Sequence, residues 1–196
     1  MEKKTFAPSS LLFYVAFDKK IENVNHHTLF FDSDFELHAN EIYDDKKWPN
    51  DPLFYASFPS KTDSFFAPDG KESATFLIPL AINLEDKKEL RDKYFKIIID
   101  RFEKLTNQNV RNHILFVESF CINDFKIDYN SYGGNAYGLA NTLFQTAFLR
   151  PKLRSKKVKN LFFTGQLTVP GPGVPPALIS GKIVSDLILK DINSKL

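Results

Sequence analysis

The sequence is short of the residues that usually reveal a binding site or a compartment. It has one cysteine, Cys121, in 196 residues, so no internal disulfide can form, as is typical of a reducing compartment. Its net charge of +2 gives no reason to expect nucleic-acid binding. No apolar run is as long as a spanning helix, and the first residues show no signal-peptide pattern. The sequence therefore predicts a cytoplasmic protein, free or peripheral to a membrane.

Metal ligands and acid–base pairs are scarce as well. His26 and His27 are adjacent, and adjacent residues of a strand point to opposite faces of a sheet. His38 and His113 lie apart from them in the chain, whereas protein metal sites need several converging ligands. We therefore expect no bound metal, and no pair of residues can be assigned as catalytic.

Phenylalanine, in contrast, is abundant, with 20 residues in a chain that is 43% hydrophobic and 26% charged. That balance is ordinary for one globular domain or two small lobes. The rings can form a core or line an apolar cavity, and the usual burial of Phe favours the core.

Short apolar runs and one long amphipathic segment predict the fold class. The predicted strands cover residues 9–17, 28–31, 53–59, 74–81 and 113–122. A capping box at Ser33 and Glu36 predicts a short helix that ends near Tyr43, and residues 85–105 predict a long helix. A turn at 67–70 should join two strands as an antiparallel hairpin, with Pro79 at a sheet edge or at its strand's end. This order indicates an α+β fold with a mainly antiparallel sheet and flanking helices.

The last third of the chain predicts a strand at 161–164, a Gly/Pro loop at 165–176 and a helix at 177–190. The wide apolar face of this helix predicts that the helix is buried. Its start near Pro176 should offer free N–H groups and the positive dipole end to an anionic or electron-rich group. A plain structural turn explains the same residues equally well.

Three stretches occur in a recognisable order. They are Pro59 to Asp63 with the turn at 67–70, Gly134 through Gln145 to Arg150 and Pro151, and Gly165 to Pro175 followed by Ser180 and Gly181. Together they resemble the bacterial-type phytoene and carotenoid desaturases, FAD-dependent oxidoreductases of the amine-oxidase-like superfamily. The resemblance covers nearly the whole chain and corresponds to the C-terminal portion of such an enzyme. It implies a substrate-binding portion at 1–130 and a flavin-facing segment at 131–196.

The resemblance also implies which residues meet the cofactor and the substrate. It places Tyr137 and Gln145 near a hydrophobic polyene, which would lose hydride to the flavin. The residues it implies for FAD binding are Gly165, Gln166, Thr168, Pro170, Gly171, Gly173, Val174 and Pro175. A related polyene isomerase or saturase, or a non-catalytic module that binds an apolar ligand or a partner, are the alternatives.

One departure limits what the resemblance implies. The sequence has no Gly-x-Gly-x-x-Gly unit, the fingerprint that holds the ADP part of a dinucleotide. We therefore expect the N-terminal half of the FAD site to be missing and the chain alone to be inactive. The strand at 161–164 would then need another partner, such as a second copy of the chain. The cations between Arg150 and Lys159 are either a solvated loop or a contact for an anionic membrane surface.

Overall fold

In the structure, a computed structural model, residues 4–146 and 149–193 are described. The chain folds as two compact units. The first, which we call the sheet unit, is Pro8–Gly134, and the second, which we call the loop–helix unit, combines Met1–Ala7 with Asn135–Leu196.

The sheet unit is built on five antiparallel strands in the order β2-β3-β4-β1-β5. The strands are β1 Ser9–Phe17, β2 His27–Phe30, β3 Phe54–Ser57, β4 Glu72–Leu80 and β5 Ile114–Phe120. The helices are α1 Phe35–Tyr43, α2 Lys88–Thr106 and α3 Ile122–Tyr129. The predicted α+β class with a mainly antiparallel sheet is confirmed.

Phenylalanine forms the core between one face of the sheet and α2. Phe13 of β1 lies 5.0 Å, ring centre to ring centre, from Phe95 of α2, and Phe76 of β4 lies 5.4 Å from Phe102. Such tilted and edge-on aromatic pairs add to the free energy gained from burial alone. Many of the rings are therefore core residues, as their number predicted.

One prediction within the sheet unit was wrong in detail, and another holds in one of its two alternatives. The N-cap of α1 is Asp34, not Ser33, because the Asp34 carboxylate accepts a 3.1 Å hydrogen bond from the Leu37 N–H. Strand β4 is internal, so Pro79 does not mark an edge strand. It marks the end of its strand, because β4 ends one residue later at Leu80. The β3 ladder stops opposite Leu77, so Pro79 lies beyond that pairing.

Other element ends moved by a few residues. Helix α2 begins at Lys88 instead of residue 85, because the Asp86 carboxylate is engaged by Arg91 and by the main-chain N–H of Asn123. The predicted strand at 113–122 ends at Phe120, since Cys121 is the N-cap of α3.

The loop–helix unit is mostly irregular chain followed by a fourth helix, α4, at Val174–Asn193. The strand predicted at 161–164 does not form. Phe162 makes one isolated bridge to Arg154, and the N–H of Phe163 donates to the oxygen of Leu153. The segment thus folds back on the preceding basic residues as a short hairpin.

Helix α4 is longer and more exposed than the sequence predicted. It begins at Val174 instead of residue 177, and its buried residues are Ser180 and Val184. The expectation that its broad apolar face is buried was therefore wrong. None of the helices in the described part of the chain is long and apolar enough to cross a membrane.

Candidate functional site

The loop that leads into α4 is tied down by Ser180. The main-chain N–H of Gly165 donates a 2.8 Å hydrogen bond to Ser180 Oγ, and this hydroxyl donates in turn to the oxygen of Ala177 at 2.6 Å. Gly165 has φ +99°, a conformation that only glycine adopts without strain. A buried serine of the helix thus fixes where the loop starts.

Thr168 closes a tight turn inside the same loop. Its N–H and its hydroxyl both donate to the oxygen of Gly165, at 3.1 and 2.8 Å. The side chain is buried. The Thr168 hydroxyl, expected at the cofactor, is therefore engaged within the protein in this conformation.

Arg150 lies behind the loop and differs from the other cations of the basic segment. Its guanidinium donates to the oxygens of Gln166 and Leu139 at 3.2 and 3.1 Å, and to Asn141 Oδ1 at 2.6 Å. Arg150 is buried, and burial lowers its pKa from the ordinary value. The basic segment was predicted to be either a solvated loop or a membrane contact, and neither prediction fits the buried Arg150.

The start of α4 offers less to a ligand than expected. Val174 is 75% exposed, so the helix start is not buried. Pro175 and Pro176 carry no N–H, and the N–H of Ala177 already donates to the oxygen of Gly173 at 3.0 Å. In place of several free N–H groups, the first turn offers the N–H of Val174 and the dipole end.

The loop surface nevertheless suits a flat ring. Pro170, Gly173, Val174 and Pro175 are exposed, and the stretch carries few large side chains. A Cβ at Gly171 would lie 3.5 Å from Nε of Arg150. A planar group could therefore approach the loop backbone closely, near one helix start and one buried cation.

The two residues expected near the substrate have different environments. Gln145 is buried, and it accepts from the Thr5 N–H at 3.0 Å and donates to the Thr5 oxygen at 2.7 Å. It therefore holds the N-terminal segment in the loop–helix unit. Tyr137 is exposed. The next residue, Gly138, lies against the loop, because a Cβ there would be 3.0 Å from the oxygen of Gln166.

The face of the sheet opposite α2 is partly open and carries several apolar side chains, with the Glu118 carboxylate opposite Tyr14. Even-numbered residues of β1 point to it, among them Leu12 and Tyr14, with Leu77 of β4 and Phe116 of β5 on the same side. Tyr14 and Phe116 are exposed. Burial raises the pKa of Tyr14, with a smaller contribution from Tyr129, so its hydroxyl stays neutral.

The structure assigns the histidines and the cysteine to no metal site and to no nucleophile. The rings of His26 and His27 lie 4.2 Å apart, centre to centre, so the expectation that they point to opposite faces was wrong, because His26 precedes the strand. In the described ranges no three potential ligands cluster as a metal site requires. Burial raises the pKa of Cys121 to about 12, which removes it as a nucleophile at neutral pH.

Comparison with known proteins agrees with the family resemblance of the three ordered motifs. The chain is 41% identical over 191 residues to a carotenoid 3,4-desaturase of Haloarcula japonica, an alignment that covers 97% of the chain. It is 32% identical over 197 residues to a 4,4'-diapophytoene desaturase (4,4'-diaponeurosporene-forming) of Staphylococcus aureus, with 95% of the chain covered. The chain belongs to the carotenoid desaturase family. It spans 39% of the length of these curated relatives, and no family model matches it.

Sequence reasoning missed two residues that shape the site. Ser180 was quoted only as part of a motif, although it fixes the loop to the helix. Arg150 was quoted only at the end of the second motif and as one cation of the basic segment, and no contact was assigned to it.

Proposed function

We propose that this chain is the substrate-contacting and flavin-facing part of an FAD-dependent carotenoid desaturase of the phytoene type. The proposal rests on two features that occur together in this member of the carotenoid desaturase family. One is an open sheet face with aromatic side chains, and the other is a loop with few large side chains at the start of a helix. When bound, FAD would supply the acceptor for a hydride removed from the polyene.

The sheet unit would contact the polyene through its open face. A long hydrocarbon gains free energy by covering apolar side chains, about 25 cal/mol for each Å² removed from water. Leu12, Leu77 and Phe116 offer such a surface, and Tyr14 keeps a neutral hydroxyl among them. The Glu118 carboxylate lies on the same face, opposite Tyr14, so the polyene would lie along the apolar side chains beside it.

The loop–helix unit would face the flavin through Pro170, Gly173, Val174 and Pro175. Ser180 keeps the loop in place, and the Val174 N–H with the dipole end would stabilise negative charge on a nearby ring. Arg150 adds a buried positive charge behind Gly171. The residues present therefore fit one edge of a flavin, while the ADP part has no fingerprint here.

We therefore propose that the chain alone binds FAD weakly and does not desaturate carotenoids. Titration of the purified chain with FAD, followed by flavin fluorescence, should show no saturable binding at about micromolar concentration. The same protein should shift the visible absorption of an added carotenoid. A yellow protein with one flavin per chain would contradict the first part.

The polyene surface is tested by a matched pair of substitutions. Tyr14→Asp adds a second carboxylate to the open face, beside Glu118, and we expect carotenoid binding to fall at least about tenfold, since about 1.4 kcal/mol of lost burial suffices. Tyr43→Asp makes the same change at an exposed tyrosine of α1 and should leave binding unchanged. Equal effects of both would show that the face is not the polyene surface.

Residues 152–163 form the short hairpin described above, which we call the basic hairpin. Its contact with a membrane would bring the chain to a hydrophobic substrate. Lys152, Lys156, Lys157 and Lys159 are exposed, and within the described residues they make no ion pair. Arg154 is different, since it pairs with Asp191 at 2.7 Å. We propose that these lysines lie against an anionic membrane surface.

A further inference from the structure

The turn before β4 places an exposed aspartate directly before an exposed glycine, Asp69 and Gly70. The turn carries a hydrogen bond of 3.0 Å from the Lys71 N–H to the oxygen of Pro68. Strand β4 begins only at Glu72, so the ladder between β4 and β1 does not restrain the turn. The backbone at Asp69 is therefore free to react with its own side chain.

An aspartate can form a cyclic imide with the main-chain nitrogen that follows it. The nitrogen attacks the carbon of the protonated carboxyl group, a C–N bond forms, and the carboxyl hydroxyl leaves with the N–H proton as water. Water then opens one of the two carbonyls of the ring. Opening at the original main-chain carbonyl leaves an isoaspartate, in which the chain runs through the side chain.

Gly70 offers this reaction little resistance. A Cβ added to it would meet nothing within 4 Å, so its surroundings are open. Glycine also reaches backbone conformations that other residues avoid, which helps its nitrogen to turn toward the carboxyl carbon. Across residues 4–146 and 149–193, neither the Asp69 carboxylate nor the Gly70 N–H has a hydrogen-bond or ionic partner. Both reacting groups are therefore free to meet.

Two other aspartates precede a small residue, in each case a serine, but their carboxylates are held. Asp32 accepts a 3.1 Å hydrogen bond from Nε of Arg101. Asp63 accepts a 2.9 Å hydrogen bond from the Phe65 N–H, as the N-cap of a short 3₁₀ turn. A carboxylate that accepts such bonds must lose them before it can react. Folding thus protects these two aspartates and leaves Asp69 open.

We propose that Asp69 is a site of spontaneous isoaspartate formation in the folded chain, through a cyclic imide with the nitrogen of Gly70. The product has one more methylene in its main chain and a new free carboxylate at the turn. An enzyme that methylates isoaspartyl carboxylates is the class of partner that would recognise it. The inference does not rest on the proposed desaturase function.

Peptide mapping tests the proposal on the purified folded chain after weeks at neutral pH. Trypsin with chymotrypsin separates Asp63 from Asp69, because Phe66 lies between them. Mass spectrometry should find a second form of the Asp69 peptide with equal mass, and a small fraction that is lighter by one water. An isoaspartyl methyltransferase should methylate the equal-mass form. The peptides with Asp32 and Asp63 should stay unchanged.

An Asp69 peptide that remains unaltered would overturn the proposal, and so would equal conversion at Asp32, Asp63 and Asp69. Two substitutions give opposite controls. Asp69→Glu would have to close a six-membered imide, which forms more slowly, so conversion should nearly vanish. Asp69→Asn forms the same imide with ammonia as the leaving group and should convert faster than the wild type.

A chain unfolded in guanidinium chloride separates the effect of the fold from that of the sequence. Asp32 and Asp63 lose their hydrogen bonds there, so both should begin to convert, while Asp69 continues to do so. Protection of Asp32 and Asp63 that persists in the unfolded chain would contradict the role given to their hydrogen bonds.

Discussion

The guanidinium of Arg150 donates a 3.2 Å hydrogen bond to the main-chain oxygen of Gln166. This contact joins the end of the second family motif to the start of the third. Because Arg150 also donates to Leu139 and Asn141, one buried side chain joins its own segment to two others of the loop–helix unit, residues 139–141 and the loop. The loop proposed to face the flavin therefore depends on a residue that does not belong to it.

Replacing Arg150 by methionine should loosen this loop. The substitution keeps much of the apolar stem but leaves the oxygens of Gln166 and Leu139 without their donor. A buried unpaired polar group costs about 1–3 kcal/mol, so we expect a loss of at least about 2 kcal/mol in the free energy of unfolding. Hydrogen exchange should quicken at residues 165–168 and stay unchanged in β1. Arg154→Met, at an exposed arginine, is the control.

Gly134 closes the sheet unit at a position where only glycine fits. Its φ is +70°, and an added Cβ would lie 2.5 Å from the oxygen of Ile122. We expect Gly134→Ala to destabilise the unit by more than about 3 kcal/mol, because strain and a backbone clash add. Urea unfolding followed by tryptophan fluorescence would measure the loss.

Gly70 supplies the control for that clash. Its φ is +76°, but a Cβ there meets nothing within 4 Å. Gly70→Ala should therefore cost only the backbone term of about 1–2 kcal/mol. If both substitutions had equal effects, the contact with Ile122 would not matter.

The elements that sequence predicted best are those with a simple burial pattern. Strand β1 forms at the residues predicted, because alternate side chains point to the Phe core and one long apolar run marks both ends. Helix α2 was predicted by its repeating apolar positions, and mainly its start moved, since the Asp86 carboxylate accepts from Arg91 of the helix and from the Asn123 N–H outside it.

The residues that sequence could not place depend on contacts with distant backbone. Arg150 is buried by carbonyl oxygens of residues 11 positions before it and 16 after it, and no local pattern encodes such partners. The apolar face of α4 was read correctly as apolar. Sequence periodicity does not tell whether such a face is covered by the same chain or by another surface.

Acid should weaken the sheet unit through His38. His38 is buried, and its Nδ1 accepts a 2.9 Å hydrogen bond from the Leu53 N–H. Burial lowers its pKa below the ordinary value. The hydrogen bond to the Pro79 oxygen and the charge of Glu41 partly oppose this shift, and Arg101 adds to it. As the pH falls, His38 of the unfolded chain therefore binds a proton at a higher pH than His38 of the folded chain does. Stability should be constant above about pH 6.5 and fall below it, by up to about 1.4 kcal/mol per pH unit.

His38→Gln isolates this effect. The amide oxygen of glutamine can accept from the Leu53 N–H, but the side chain does not titrate. Unfolding by urea at several values between about pH 8 and pH 5 should show a smaller loss for the variant than for the wild type. Parallel pH curves for the two proteins would assign the acid sensitivity to other groups.

Binding to anionic vesicles should depend on the lysines of the basic hairpin. Each cation near such a surface contributes about 1 kcal/mol, so replacing Lys156, Lys157 and Lys159 by glutamine should reduce partitioning by about a hundredfold. Flotation with vesicles that contain phosphatidylserine would measure this, and higher salt should weaken the wild type in the same way.

The control changes the same charge elsewhere. Lys93, Lys96 and Lys104 are exposed on α2, and their replacement by glutamine should leave vesicle binding nearly unchanged. An equal loss in both triple variants would mean that net charge, and not the hairpin, governs binding. Wild-type binding to neutral vesicles at the same level would exclude an electrostatic contact, because a lysine gains free energy only from the negative surface potential.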